Sequence, residues 1–390
     1  MRVCIVTTAF PRWPDDGRGT FILDAARALQ AQGAQVRVIA MHSPGAKTRE
    51  MMGAIEVIRP RYLWPERLEV LQKEGGGLPI MWRKSRLARL ALLPFSVAHT
   101  MAIMRYAQDC DIIHANWTLS AAAAWAGKFF HRRPIVVTVH GSDIFQAVRL
   151  RFVNRLTRMV LGRCDRILAV SRALVEAVVA LGLPSSQIEI VSDGVDTDRF
   201  HPPSADREPL IVFVGSLIAR KGLKYLIQAM LQLLQRFPDH HLAIIGEGPQ
   251  QAELISLADT LRVIDNISFV GSQTPAQVSH WMQRAKLFVL PSVEEGLGVV
   301  LLEALACGTP CVATRVGGIP DVISSDVGIL VPPADPSALS NAILAVLGEE
   351  TVWKTMSQNA RAGALERYSW RIIASHLIEI YHATINSRRL

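Results

Sequence analysis

The chain is poor in cysteine and in aromatic residues, and it has no long apolar run. Its five cysteines (Cys4, Cys110, Cys164, Cys307 and Cys311) are odd in number and lack zinc-like spacing. That argues against a disulfide framework and a structural zinc site. Cys4 and Cys311 fall in expected strands, where a free thiol acts as a small hydrophobe, and a reducing compartment fits best. Aromatics make up 6% of the residues. The basic stretches do not interleave them in the way single-strand binding needs, so a pI near 9.5 is not taken to imply nucleic acid. No uninterrupted stretch of 18 apolar residues occurs, and no transmembrane helix is expected. The apolar run of the opening MRVCIVTTAF is too short for a signal peptide and is followed by no small-residue cleavage site.

Acidic residues are scarce in one place. Between Glu74 and Asp109 there are none, while Arg83, Lys84, Arg86, Arg89 and Arg105 are present. Residues 1–200 hold 27 Lys/Arg against 17 Asp/Glu, and residues 201–390 hold 15 against 17, so the +8 net charge sits in the first half. A second basic run, Arg149–Arg166, puts Arg151, Arg155 and Arg158 on one helical face, with Phe152, Val153, Leu156, Met159 and Val160 expected to fill the other. Such a helix suits an anionic membrane surface, or equally the surface of its own domain.

What is abundant is apolar sequence, half of all 390 residues, enough for two domains with sizeable cores. Continuously apolar, β-branched segments alternate with helical patterns. Expected strands are Arg2–Thr8, Gln35–Met41, Ile112–Asn116, Ile135–His140, Arg166–Val170 and Ile188–Val191. Leu210–Val214, His241–Ile245, Ile267–Val270, Leu287–Leu290, Cys311–Thr314 and Gly328–Val331 then repeat the rhythm. Repeated βα units imply an α/β chain with two doubly wound, Rossmann-like parallel sheets. The polar, Pro-rich stretch from Asp193 to Ser204 is the candidate linker. Two such domains are expected to face each other across a cleft, with ligands beyond the carboxyl ends of the strands.

The candidate chemistry lies at those ends. PSVEEGLGVVLLEALACGTPCVAT (Pro291–Thr314) reads as a glycine turn feeding a helix, with Glu295 before the turn and Glu303 about two turns on. Amides at such a turn favour phosphate, and carboxylates favour hydroxyl groups. An ordinary buried helix with two solvated glutamates is the alternative. GSLIARKG (Gly215–Gly222) places Arg220 and Lys221 at the start of the helix Leu223–Phe237; it is not a P-loop, which needs Ser or Thr after the lysine. Gly246-Glu247-Gly248 is an incomplete dinucleotide pattern. His140 and Asp143 follow a first-half strand, and Gly17 and Gly19 lie in the first βα loop. Asp109-Cys110-Asp111 and Asp196-Thr197-Asp198 read as turn and capping residues rather than metal ligands.

Together HGSD (His140–Asp143), SDGVDTDRF (Ser192–Phe200), GSLIARKG, EEGLGVVLLEALACGTP (Glu294–Pro310) and GGIPDV (Gly317–Val322) resemble glycosyltransferase family 4, the group 1 glycosyltransferases with the two-domain GT-B fold. The resemblance spans the chain and implies an N-terminal acceptor domain (1–200), a donor domain (201–370) and a last helix (371–390) crossing back to the first. It implies a retaining, metal-independent hexosyl transfer from a nucleotide-diphospho-sugar to an acceptor. The expected acceptor is a lipid-linked or cell-surface saccharide, met in the cytoplasm at the inner membrane face. No cofactor is implied, since the nucleotide-sugar is a co-substrate. By resemblance, Lys221 would contact the diphosphate, with Gly298 and Val299 lending amides. Glu303 would hold the ribose, Glu295 the donor sugar, and His140 would sit near that sugar on the acceptor side with Asp143. Gly19, Gly215, Ser216, Arg220, Gly246 and Gly296 complete the expected donor site. Ser216 stands where many members have arginine, so Arg220 would have to supply that charge, and Asp193 replaces a usual asparagine. An epimerase of the same fold and a non-enzymatic basic membrane- or nucleic-acid-binding module are the competing readings.

Overall fold

A computed structural model of the protein describes residues 1–14, 16–71, 85–149 and 151–388. Asp15, Glu74, Arg83 and Lys84 lie outside these. The chain divides into two compact units, Met1–Ser192 with Trp370–Leu390, and Asp193–Ser369.

In the first unit, strands β1 (Arg2–Thr7), β2 (Gln35–Ala40), β3 (Arg49–Met52), β4 (Ile55–Ile58), β5 (Ile112–Asn116), β6 (Ile135–Val139), β7 (Arg166–Ala169) and β8 (Ile188–Ile190) form one sheet. Its order is β3-β4-β2-β1-β5-β6-β7-β8, parallel except for the antiparallel β3–β4 edge. The strands buried on both faces are mainly apolar, as parallel sheets covered by helices require, with His114 and Asn116 of β5 as buried polar exceptions. The sequence did not announce β3 and β4, because their charged residues break the apolar rhythm. Those charges are used: Arg37 and Arg49 both pair with Glu56, and the fully buried Arg59 pairs with Glu50 at 2.6 Å and donates to the Pro11 carbonyl at 2.6 Å.

In the second unit, β9 (Glu208–Val214), β10 (His241–Ile245), β11 (Ile267–Gly271), β12 (Ala285–Leu290), β13 (Cys311–Thr314) and β14 (Gly328–Val331) form an all-parallel sheet in the order β11-β10-β9-β12-β13-β14. The strand order reverses between β9 and β12, and in the first unit between β1 and β5. Doubly wound sheets bind ligands at these switch points.

The domain boundary needs correction, and two helices expose more apolar surface than the sequence suggested. The segment Asp193–Phe200 belongs to the second unit, so the boundary falls eight residues earlier than expected. Val195 donates to the Tyr368 carbonyl at 2.8 Å, Arg361 donates to the Phe200 carbonyl at 3.0 Å, and Phe200 is buried. The helix Arg86–Tyr106 is long and apolar enough to cross a membrane by length and composition alone. Scattered Arg, Ser, His and Pro interrupt every apolar run, yet mean hydropathy over 18 residues reaches 1.5. The apolar side of the helix Arg151–Leu161 is only partly packed. Val160 is buried with Thr157 and Leu161, while Phe152, Leu156 and Met159 are exposed beside the arginines, because the apolar arc is wider than the face that meets the domain.

The helix Trp370–Asn386 packs within the first unit. Trp370, Ile373, Leu377, Ile380 and Tyr381 enter the same core as Ile5, Leu29 and Val38. The Tyr381 hydroxyl meets Nδ1 of the buried His114 at 2.6 Å, and His114 meets Thr138 at 2.7 Å through Nε2. All five cysteines are free and buried.

Candidate functional site

The second unit brings its candidate residues to the switch point of its sheet. After β9 the chain turns through Gly215 and Ser216 to a short 3-10 turn, Ala219–Lys221, and enters the helix Leu223–Arg236 at Gly222. After β12 it runs through Pro291–Gly298 into the helix Val299–Ala306. The two loops are tied by main chain, Val293 donating to the Arg220 carbonyl at 2.7 Å. Gly222 makes this possible: its φ is +66°, and a Cβ would lie 2.0 Å from the Pro291 carbonyl oxygen. Gly317 performs the same service from the next loop, where a Cβ would lie 1.8 Å from the Glu295 carbonyl oxygen.

Across this junction Lys221 Nζ meets Glu295 Oε2 at 2.5 Å. Ser292 donates to the same oxygen at 3.2 Å, and Gly296 N–H to Oε1 at 3.3 Å. Ser292 is held in turn by Thr314, which donates to its carbonyl. Burial pushes the Glu295 carboxyl up, but the Lys221 ammonium, the Arg220 charge and the Ser292 hydroxyl outweigh it, and the group stays below its ordinary 4.5. Glu295 is therefore a carboxylate that can accept hydroxyl groups but not donate to them.

Gly298 caps the helix Val299–Ala306 with φ +88° and no side-chain hydrogen bond, and Gly222 caps Leu223–Arg236 in the same way. Two helix N-termini without side-chain caps thus open beside one lysine, the setting in which helices attract phosphate. Gly215 and Gly246 come together as well: Gly215 donates to Ile245 and Gly246 to Gly271, and Leu217 is zipped to Glu247. Glu303 is half-buried, one turn into its helix rather than two, because the helix starts only at Val299.

In the first unit Gly19 caps the helix Thr20–Ala31 in a left-handed conformation. The loop before it is braced by the Arg12–Asp16 pair at 2.6 Å. His140, at the end of β6, turns Nε2 to Asn116 Oδ1 at 2.9 Å and packs against Trp117 and Phe21, with ring centroids at 4.8 and 5.3 Å. Trp117 follows β5 with φ +67°, a strained position for an aromatic residue. Asp143 braces the loop. Its carboxylate accepts from the Thr118 amide at 3.0 Å and hydroxyl at 2.9 Å, fixing the start of the helix Trp117–Ala126. Asn116, Trp117, Phe21 and Ser292 carried no expectation from sequence. HANW at the end of an apolar strand was the available signal for the first pair, and Ser292 lay inside the Glu295 stretch.

The Asp-x-Asp triplets serve structure. Asp109 binds Arg37, Asp111 accepts the Arg2 amide, and Asp196 accepts the amides of Asp198 and Arg199.

Two family patterns match the chain, "Glycosyltransferase Family 4" over residues 16–199 and "Glycosyl transferases group 1" over residues 194–363. A GDP-mannose-dependent alpha-(1-6)-phosphatidylinositol monomannoside mannosyltransferase of Mycolicibacterium smegmatis is 30% identical over 66% of this chain and 72% of its own. The chain is a group 1 glycosyltransferase. Solved structures show the GT-B fold of this glycosyltransferase. Sucrose-phosphate synthase from Thermosynechococcus elongatus superposes with a TM-score of 0.82 at 23% identity, covering 99% of both chains. Anabaena HepE in complex with UDP-glucose superposes at 0.74 and 18% identity, covering 98% of this chain and 100% of its own. In the glycosyltransferase here, Ser216 stands half-buried at the β9 turn, while the exposed Arg220 lies close enough for its charge to act on Glu295.

Proposed function

We propose that this glycosyltransferase moves a hexosyl group from a nucleoside-diphosphate sugar to a saccharide or lipid-linked acceptor, with retention at the anomeric carbon. The observation that carries the reading is the Lys221–Glu295 pair between two helix N-termini at the switch point of the second sheet. Lys221 and the first-turn amides would receive the diphosphate, with Arg220 adding charge. Glu295 would accept donor-sugar hydroxyls and Glu303 those of the ribose. As the glycosidic C–O bond breaks, negative charge grows on the departing phosphate oxygen, and fixed donors there lower the barrier. The acceptor hydroxyl would attack from the departing face and pass its proton to that oxygen, so no separate base is needed. No divalent ion is required by this scheme, since the chain supplies the countercharge. His140 and Asp143 are assigned to the acceptor side on their place at the end of β6.

The likeness to a structure holding UDP-glucose supports the donor class. The basic first half supports a phosphate-bearing, lipid-linked acceptor at the cytoplasmic membrane face, and the buried free thiols fit that compartment. The test is incubation with UDP-, GDP- and ADP-sugars in EDTA, with and without saccharide acceptors, followed by NMR of the product. Acceptor-dependent nucleoside diphosphate release with an axial product linkage from an axial donor is expected. Epimerised free donor, or turnover abolished by EDTA, overturns the reading.

A further inference from the structure

The helix Arg86–Tyr106 is apolar on two opposite sides. One side, with Ala88, Ala91, Phe95, Ala102 and Ile103, is buried in its unit. The other carries Leu90, Leu93, Val97 and Met101, at spacings of three and four, as a continuous ridge. These are exposed by 73%, 72%, 51% and 62%. Ridges of this kind on a soluble face mark an interaction site. Exposed Arg86 and Arg89 flank it at one end and Arg105 at the other. Among the described residues the helix bears no acidic group. Exposed Phe129 and Phe130 follow on the short helix Lys128–His131, which touches the same helix. The helix Arg151–Leu161 also packs on Trp117–Ala126, which Arg86–Tyr106 contacts too. It repeats the pattern, with exposed Phe152, Leu156 and Met159 beside Arg151, Arg155 and Arg158.

A partner for this face must be apolar in the middle and anionic at the edge. A lipid surface is both. We propose that the outer face of Arg86–Tyr106 docks on an anionic bilayer, its ridge in the headgroup–acyl boundary and its arginines on lipid phosphates. The helix lies on the bilayer and does not cross it, since its other side is committed to the protein core. This deepens the location proposed for the acceptor. Binding is read without donor or acceptor, so failure here leaves sugar transfer standing, and the reverse.

The test is flotation of the full chain with phosphatidylcholine vesicles, alone or with about 30 mol% phosphatidylglycerol, at low and high salt. Binding to the anionic vesicles only, weakened by salt, is expected. Leu93→Glu with Val97→Glu should weaken it about tenfold or more at unchanged Tm, because both sites are exposed. Arg86→Gln with Arg89→Gln should weaken it less and reduce its salt dependence. Equal flotation with pure phosphatidylcholine, no flotation at all, or undiminished flotation of the Glu variant overturns the proposal. So does a wild-type dimer that the Glu variant converts to monomer, for then a second copy covers the ridge.

Discussion

Lys221 and Glu295 are 74 residues apart in sequence and 2.5 Å apart in space. Removing the lysine takes away a phosphate donor and also leaves a buried carboxylate without its cation. Lys221→Ala is therefore expected to lower kcat/KM by about 10²–10³ and to destabilise the protein by about 3–5 kcal/mol. The two effects separate in the double variant Lys221→Met with Glu295→Gln, whose Tm should recover while turnover does not. Recovery of both in steady-state assays would show the pair to be merely structural. Lys221 and Glu295 were legible because each sits in a motif whose residue types match phosphate and hydroxyl chemistry. Ser292 and Asn116 were not. Their value lies in which oxygen or ring nitrogen they meet, and no spacing in a linear sequence encodes a bond between β5 and the residue after β6.

The connections between elements carry their own constraints. Gly222→Ala forces a left-handed residue with a Cβ, at about 1–2 kcal/mol, onto a carbonyl 2.0 Å away. A fall in Tm beyond that of a conformational penalty alone, with weakened nucleotide binding by calorimetry, is expected; an unchanged Tm would refute this account of the loop junction. The helix Arg86–Tyr106 and strand β5 each bury a histidine. Burial lowers His99 to about 4 and His114 to about 3, the latter helped by the charge of His140. In the unfolded chain both take protons near the ordinary 6.5. Between 6.5 and these lower values the unfolded state binds more protons than the folded one, so stability falls as pH falls through that window and is level above it. Among the described residues His99 has no hydrogen-bond partner for either ring nitrogen. His99→Leu should raise stability by about 1 kcal/mol at pH 7 and flatten the decline of Tm toward pH 5; a steeper decline would contradict the assignment. Strands buried on both faces were readable from their unbroken apolar runs. The β3–β4 hairpin was not, because ion pairs with Arg37, Arg49 and Arg59 replace the apolar signal.

At the scale of the whole molecule, the last helix completes the core of the first unit. Cutting the chain after Ser369 uncovers the residues that meet Trp370, Leu377 and Tyr381, and leaves His114 without its tyrosine hydroxyl. The expected result is loss of the melting transition of the first unit with that of Asp193–Ser369 retained, read by calorimetry; two intact transitions would refute it. Leu377→Ala should cost the first unit about 2–5 kcal/mol. The chain's return also sets an order of events during synthesis. As the polypeptide leaves the ribosome, the segment Met1–Ser192 lacks one of its walls until Trp370–Asn386 has been made. The later segment, Asp193–Ser369, is complete before then. Asp193–Ser369 is therefore expected to settle before Met1–Ser192, against the direction of translation, and proteolysis of stalled nascent chains would reveal the inversion.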